Sequence, residues 1–473
     1  MAALEMTVVS TAMPSVVADL GGLRHYAWVF TAYMLSATIT VPIYGKLADL
    51  YGRKPILQVG LVLFLVGSVA SGTAHSLEQL ILFRAIQGLG AGAMQPLALT
   101  IAGDIFTLEQ RAKVQGWFGS VWAFSALVGP LLGGFIVKVT SWRWVFLLNV
   151  APGVATMLLL QWALREKVKR RSSALDVAGA AVLAGAVLSV LLAAQGGATA
   201  GVAAVAAVVL TLVLVAVERK AADPVLPLSL FGNRSIAISS LAGALFSAAM
   251  FGAVTYLPLY AQGVLGATPT RAGQMMTPML LFWPVCSTVA GFILPRIGFR
   301  PLVVGGLGMA AVANLVLALT LGPHSGLWLP MVSMGLFGAG LGFASTALLL
   351  AVQTAVGWEM RGVATASNLF FRTIGGTIGV GVLGGVLAAG IQADRTIPPN
   401  AGNELLGPTH GAGLPAEVLQ HLSAALERAL GLGFWIMLGC GVAAFVAGLL
   451  FPRVEPAPAV SPPPASDMME NMS

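Results

Sequence analysis

The sequence predicts an all-α integral membrane protein made of two related halves, and three observations carry that prediction. Of its 473 residues, 57% are hydrophobic and 9% charged, with mean hydropathy +0.89, against roughly 25% charged in soluble domains. Apolar stretches long enough to cross a bilayer core of about 30 Å follow one another along the chain. A short turn also occurs twice. GKLADLYGRKP, Gly45 to Pro55, returns 246 residues on as GFILPRIGFRP, Gly291 to Pro301, keeping the first Gly, the eighth-place Gly and the closing Pro. A second pair repeats at an offset of 250: Gly88, Gly90 and Gly92 against Gly338, Gly340 and Gly342, and EQR at Glu109–Arg111 against EMR at Glu359–Arg361.

Taken in order, the first spanner is Met1 to about Val17. It carries Glu5, ends at Asp19 and a Gly pair, and has neither the basic n-region nor the cleavage site of a signal peptide. Spans at 28–44, 56–73, 78–103, 112–138 and 143–163 complete a first six-helix bundle over residues 1–164. Residues 165–235 hold the basic run REKVKRR, Arg165 to Arg171, and two Ala/Val/Leu-rich spans, 177–195 and 199–217, that have no counterpart in the repeat. A second bundle fills 236–451, with spans at 236–262, 270–294, 301–321, 327–352, 362–390 and 430–451. The expected total is fourteen transmembrane helices. The loop 392–428 is expected to end in a short surface helix, and the Pro-rich tail 452–473 to be disordered.

Alternating the loops puts seventeen Lys and Arg residues on one side and six on the other, leaving Arg84 and Arg372 inside spans. The positive-inside rule then makes the richer side, and both termini, cytoplasmic in a cell-membrane protein. The net charge of +7 is spent on topology, so nucleic-acid binding is not implied. Cys286 and Cys440 lie in apolar spans, and the five His residues fall in external connections. No metal site, cofactor or catalytic cluster is suggested, which disfavours an enzyme.

Within the repeated turn, Gly45 and Gly52 permit close approach and turning, while Asp49 and Arg53 can pair at i and i+4. GKLADLYGRKP closely resembles the cytoplasmic signature of the major facilitator superfamily. Two halves in parallel repeat are what such transporters show. Asp104, at the same end, is expected to join Asp49 and Arg53 in an inner-gate cluster. The first span, LEMTVVSTAMPSVVADL, resembles that of the fourteen-helix drug/proton antiporters of the EmrB/QacA type, with Glu5 where that family usually has Asp.

The resemblance makes Glu5 a proton-coupling residue. A lone carboxylate in a span is expensive and is the kind of group that exchanges protons; a residue reaching water near a frayed N-terminus is the alternative. FRAIQGLGAGAM resembles the family's fourth-helix motif, where the buried Arg, here Arg84, is tied to proton transfer. An Arg bonded only to backbone carbonyls would serve structure instead. SALVGPLLGG, with Ser125, Gly129, Pro130, Gly133 and Gly134, resembles the antiporter motif, which favours export.

Candidate substrate contacts are Trp28, Tyr33, Gln87, Trp122, Tyr256, Tyr260, Gln262, Phe282, Trp283 and Arg372, although aromatics at span ends also serve as interfacial belts. The resemblance implies a monomeric, proton-driven exporter of lipophilic compounds working by alternating access. Export of a lipid or other endogenous amphiphile is the alternative, and a channel is disfavoured by the repeat. Neutral or singly charged cargo should be preferred over dications.

Overall fold

The computed structural model describes residues 2–20, 26–164, 176–194, 200–221, 224–267, 271, 274–320, 326, 328–392, 394, 396–398 and 415–453. These form helices α1 (Ala2–Leu20), α2 (Tyr26–Tyr51), α3 (Arg53–Gly72), α4 (Leu77–Ile105), α5 (Leu108–Val139), α6 in two pieces (Arg143–Leu147 and Val150–Ala163), α7 (Val177–Ala194) and α8 (Ala200–Lys220). There follow α9 (Arg234–Gly263), α10 (Thr277–Ile297), α11 (Phe299–Thr320), α12 (Trp328–Thr354), α13 (Arg361–Gln392) and α14 (Ala416–Leu449), with 3-10 turns at Leu228–Gly232 and Trp358–Met360. Among the described residues there is no strand, and nine helices are long and apolar enough to cross a membrane. The run Arg165–Arg171, residues 399–414 of the long loop and the tail 454–473 lie outside the described residues.

The repeated motifs do the same work in both halves. Gly52 and Gly298, the eighth residues of the two turns, have φ of 100° and 77°, a region that disfavours side chains. Gly88 and Gly92 of α4 lie against Tyr33, Ser36 and Ala37 of α2, while Gly90 lies against Gly60 and Phe64 of α3. Their copies repeat this: Gly338 and Gly342 of α12 meet Met279 and Trp283 of α10, and Gly340 meets Gly306 and Ala310 of α11. Small residues let each helix thread between two neighbours at backbone distance.

One departure from the expected spans has a local cause. α6 is interrupted at Leu148–Asn149, where Pro152 lacks an N–H and its ring crowds the carbonyl of residue 148. The helix expected to lead into the last spanner is present and runs into it without a break. α14 has 34 residues, roughly 50 Å at 1.5 Å per residue, and its first turns bury Leu422, Ala425 and Leu426.

α1–α6 pack mainly with one another, as do α9–α14; the two sets meet where α5 lies against α10 and α2 against α13. The inserted α7–α8 hairpin is not peripheral to this seam. Leu183, Val187 and Leu191 of α7 share a buried cluster with Val41 of α2 and with Ala366, Leu369 and Phe370 of α13. Wherever they are described, the basic residues of the richer side gather at one end of the bundle, here called the basic end.

Candidate functional site: a buried carboxylate and a charged seam

Glu5 is 3% exposed, so it does not reach water near the start of α1. One carboxylate oxygen accepts from Arg84 Nη1 and the other from Asn149 Nδ2, the residue that the break in α6 brings inward. Arg84 Nη1 also donates to Gln87 Oε1 at 2.7 Å, and Gln87 Nε2 donates to Ser68 Oγ at 3.1 Å. Ser68 Oγ donates to the Phe146 carbonyl at 2.7 Å and accepts from Asn149 Nδ2 at 3.2 Å. The Arg84 guanidinium lies 4.2 Å from the Tyr33 ring centroid, a cation–π contact that helps hold a desolvated cation. Arg84 is therefore held by side chains as well as by the Val29 carbonyl at 3.4 Å. A carboxylate, a guanidinium, two amides and a hydroxyl from α1, α3, α4 and α6 form one closed polar network inside the first half. Asn149 and Ser68 were not among the candidates; an uncharged residue in a span gives no signal of its own.

At the basic end, Asp49, Arg53 and Asp104 stand together and reach across the seam. Arg53 Nη2 lies 2.9 Å from Asp49 Oδ1, and its Nε 3.1 Å from Asp104 Oδ2 out of hydrogen-bond alignment. Asp104 Oδ1 is 2.6 Å from Arg361 Nη1 of α13. Asp49 accepts from the main-chain N–H groups of Gly362, at 3.2 Å, and Val363, at 2.7 Å. These are orphan donors of the first turn of α13, whose partial positive charge favours a carboxylate. Arg53 also donates to the Trp358 carbonyl at 2.8 Å and stacks 3.9 Å from its ring centroid. Gly45 completes the contact, since a Cβ there would collide with Ala366 of α13. A helix in one half is thus capped by a side chain from the other.

The remaining candidates do not form one site. Tyr33 and Gln87 belong to the Glu5 network. Tyr260 is buried edge-on against Phe434, and Tyr256 donates to the Val380 carbonyl at 2.9 Å, tying α9 to α13. Trp283 is half-buried against the second half's core, Trp122 is half-buried on α5, and Trp28 and Phe282 are exposed. The side chains of Gln262 and Pro130 lie outside the described residues. Gly129 and Gly133 are buried on α5, which packs on α1, while Gly134 faces open space. Arg372 sits half-buried on α13 beside Gly243 of α9. An apolar groove of about 690 Å³ between α9 and α14, bordered by Leu241, Leu245, Trp435 and Val442, touches none of these candidates. No cluster fit for a metal ion occurs among the described residues.

Comparison with known proteins agrees with this architecture. The family model described as Major Facilitator Superfamily matches residues 1–380. The multidrug transporter protein MdtP of Bacillus subtilis is 37% identical over 408 residues, which is 84% of this chain and 75% of that protein. Multidrug resistance protein 3 of the same organism is 35% identical over 394 residues, 82% of this chain and 77% of that protein. Among solved structures, the proton:xylose symporter XylE has TM-score 0.60 at 16% identity, over 96% of this chain and 93% of that one. The human organic anion transporter MFSD10 has TM-score 0.60 at 16% identity, over 92% of this chain and 96% of that one; at such identity both speak for the fold alone. With two helical halves joined along a charged seam and a family match over most of its length, the chain is a multi-pass membrane transporter that belongs to the Major Facilitator Superfamily.

Proposed function

We propose that this transporter is a fourteen-helix drug/proton antiporter, exporting lipophilic compounds from a basic end that faces the cytoplasm. The observation that carries the reading is Glu5: one carboxylate sealed inside the first half, with Arg84 and Asn149 as its partners. A buried carboxylate that loses its proton needs those donors, whereas a protonated one releases Arg84 to other acceptors. Proton binding therefore changes how α1, α4 and α6 hold each other. The two relatives named for multidrug transport and resistance support drugs as the cargo class. The seam bonds of Asp49, Arg53, Asp104 and Arg361 close the basic end, the arrangement in which cargo would leave on the opposite side. Proton uptake there would favour release, and proton loss toward the basic end would reset the cycle.

The test is pH-gradient-driven efflux from vesicles holding the purified protein, across a panel of neutral, monovalent and divalent lipophiles. Glu5→Gln should remove gradient-driven efflux while leaving substrate binding and the folded state intact. Wild-type gradient-driven rates in Glu5→Gln refute the coupling role of Glu5, and absence of uphill efflux for every compound refutes export.

A further inference from the structure

Buried polar groups cluster where α13 crosses α9, between one and two turns beyond the Asp49 cap on Val363 and apart from the Glu5 network. Both amide atoms of Asn368, 1% exposed, lack a hydrogen-bond partner among the described residues, and so does Oγ of Ser240, 3% exposed. Gly375 and Gly379 of α13 lie on the backbone of Ala244 and Ala248 of α9. Asn368 is seven residues before Gly375, two turns back on the same helix face, and Ser240 is one turn before Ala244. The two orphaned groups therefore lie on facing stretches. Arg372 is one turn after Asn368, its stem packed over Gly243 of α9. Among the described residues it has no hydrogen bond or ion pair. α13 is buried from residue 362 to 370 and half-exposed from 371 to 375, so Arg372 stands where the helix leaves the closed seam. α13 contacts α2, α4 and α7 of the first half and the inserted hairpin, and α9, α12 and α14 of the second half.

An uncompensated guanidinium within a span is costly, and a buried amide with neither atom paired adds the desolvation cost of each orphaned group. A ligand able to accept hydrogen bonds would compensate the guanidinium and pair with Nδ2 of Asn368 and the Ser240 hydroxyl. We propose that Arg372, Asn368 and Ser240 form an anion-binding subsite that selects lipophilic monocarboxylates as cargo. The guanidinium fork matches a carboxylate in two parallel hydrogen bonds, and one Arg compensates one negative charge. A dianion would leave one charge uncompensated, and a cation would meet repulsion. This subsite rests on the export reading for its use, but its binding chemistry can be tested without transport.

The probes are 4-(1-pyrenyl)butyrate, its primary amide and 4-(1-pyrenyl)butylamine, which share one apolar body. Their binding to the purified full-length protein in detergent is followed by energy transfer from tryptophan to pyrene. The wild type should bind the carboxylate about ten times more tightly than the amide, and the amine most weakly. Arg372→Gln should bring the carboxylate to the affinity of the amide, Arg372→Lys should keep most of the preference, and Asn368→Ala should weaken the carboxylate several-fold. Unchanged amide binding in all three reports an intact fold. Equal carboxylate and amide affinities in the wild type, or a preference that survives Arg372→Gln, would overturn the proposal. So would loss of carboxylate binding on replacing gluconate with chloride, which would assign the subsite to a small inorganic anion. Arg372-dependent carboxylate binding without uphill transport in vesicles would keep the subsite and remove the export reading; uphill export with no carboxylate preference would do the reverse.

Discussion

Replacing Asp49 by Asn should loosen the basic end. Asp49 accepts two main-chain hydrogen bonds at the start of α13, from Gly362 and Val363, and pairs with Arg53 at 2.9 Å. A hydrogen bond to a charged group contributes about 1.5–3 kcal/mol, and Asn keeps one acceptor but no charge. Arg53, 2% exposed, would retain Asp104 as its carboxylate partner. The closed form should therefore lose about 2–4 kcal/mol, which is roughly 30- to 700-fold in the ratio of closed to open protein at tenfold per 1.4 kcal/mol. The assay is maleimide labelling from the basic end of a cysteine at Thr365, which is fully buried on α13, after Cys286 and Cys440 have been replaced by Ser. Labelling should accelerate at least tenfold in Asp49→Asn and in Asp104→Asn. It should stay unchanged in Arg143→Gln, whose 2.9 Å pair with Asp19 joins two helices of the same half at the opposite end. Unchanged labelling in both Asp variants would refute the reasoning, leaving these charges as topological signals.

Two further outcomes follow from the geometry. Arg84→Leu leaves Glu5 without its cationic partner and should destabilise the protein by about 3–5 kcal/mol; adding Glu5→Gln should recover most of that loss, and additive effects in the thermal unfolding cycle would show that the pair is not energetically coupled. Gly90→Val and Gly340→Val place side chains against the backbone of α3 and α11 and should both abolish the folded, monodisperse protein. Gly134→Ala and Gly305→Ala, which face open space, should be silent in size-exclusion profiles; a well-folded Gly340→Val would show that the repeated glycines are not packing requirements.

What the sequence determined by itself rests on costs that are local. Apolar runs had to become helices because a bilayer core leaves no other partner for backbone groups, and most helix ends, the start of α14 excepted, could be placed to within several residues. The turn glycines were legible since Gly52 and Gly298 occupy positions that penalise a Cβ. Glu5, Arg84 and Arg372 stood out because an ionisable group in a span is costly wherever it points. Only the tertiary structure decided what those groups meet. Arg53 bonds a carbonyl 305 residues away, and Asp49 caps α13 although nothing near either residue marks the other as its partner. Asn149 enters the Glu5 network because Pro152 breaks a helix that periodicity alone would continue. Gln87 faces Arg84 from one turn along the same helix, whereas Tyr33, a candidate for cargo by residue type, reaches Arg84 because Gly88 lets α2 and α4 touch. The unpaired amide of Asn368 is invisible in sequence for the same reason: whether a buried polar atom is satisfied depends on which helix lies opposite, and that is set by packing across the whole bundle rather than by its neighbours along the chain.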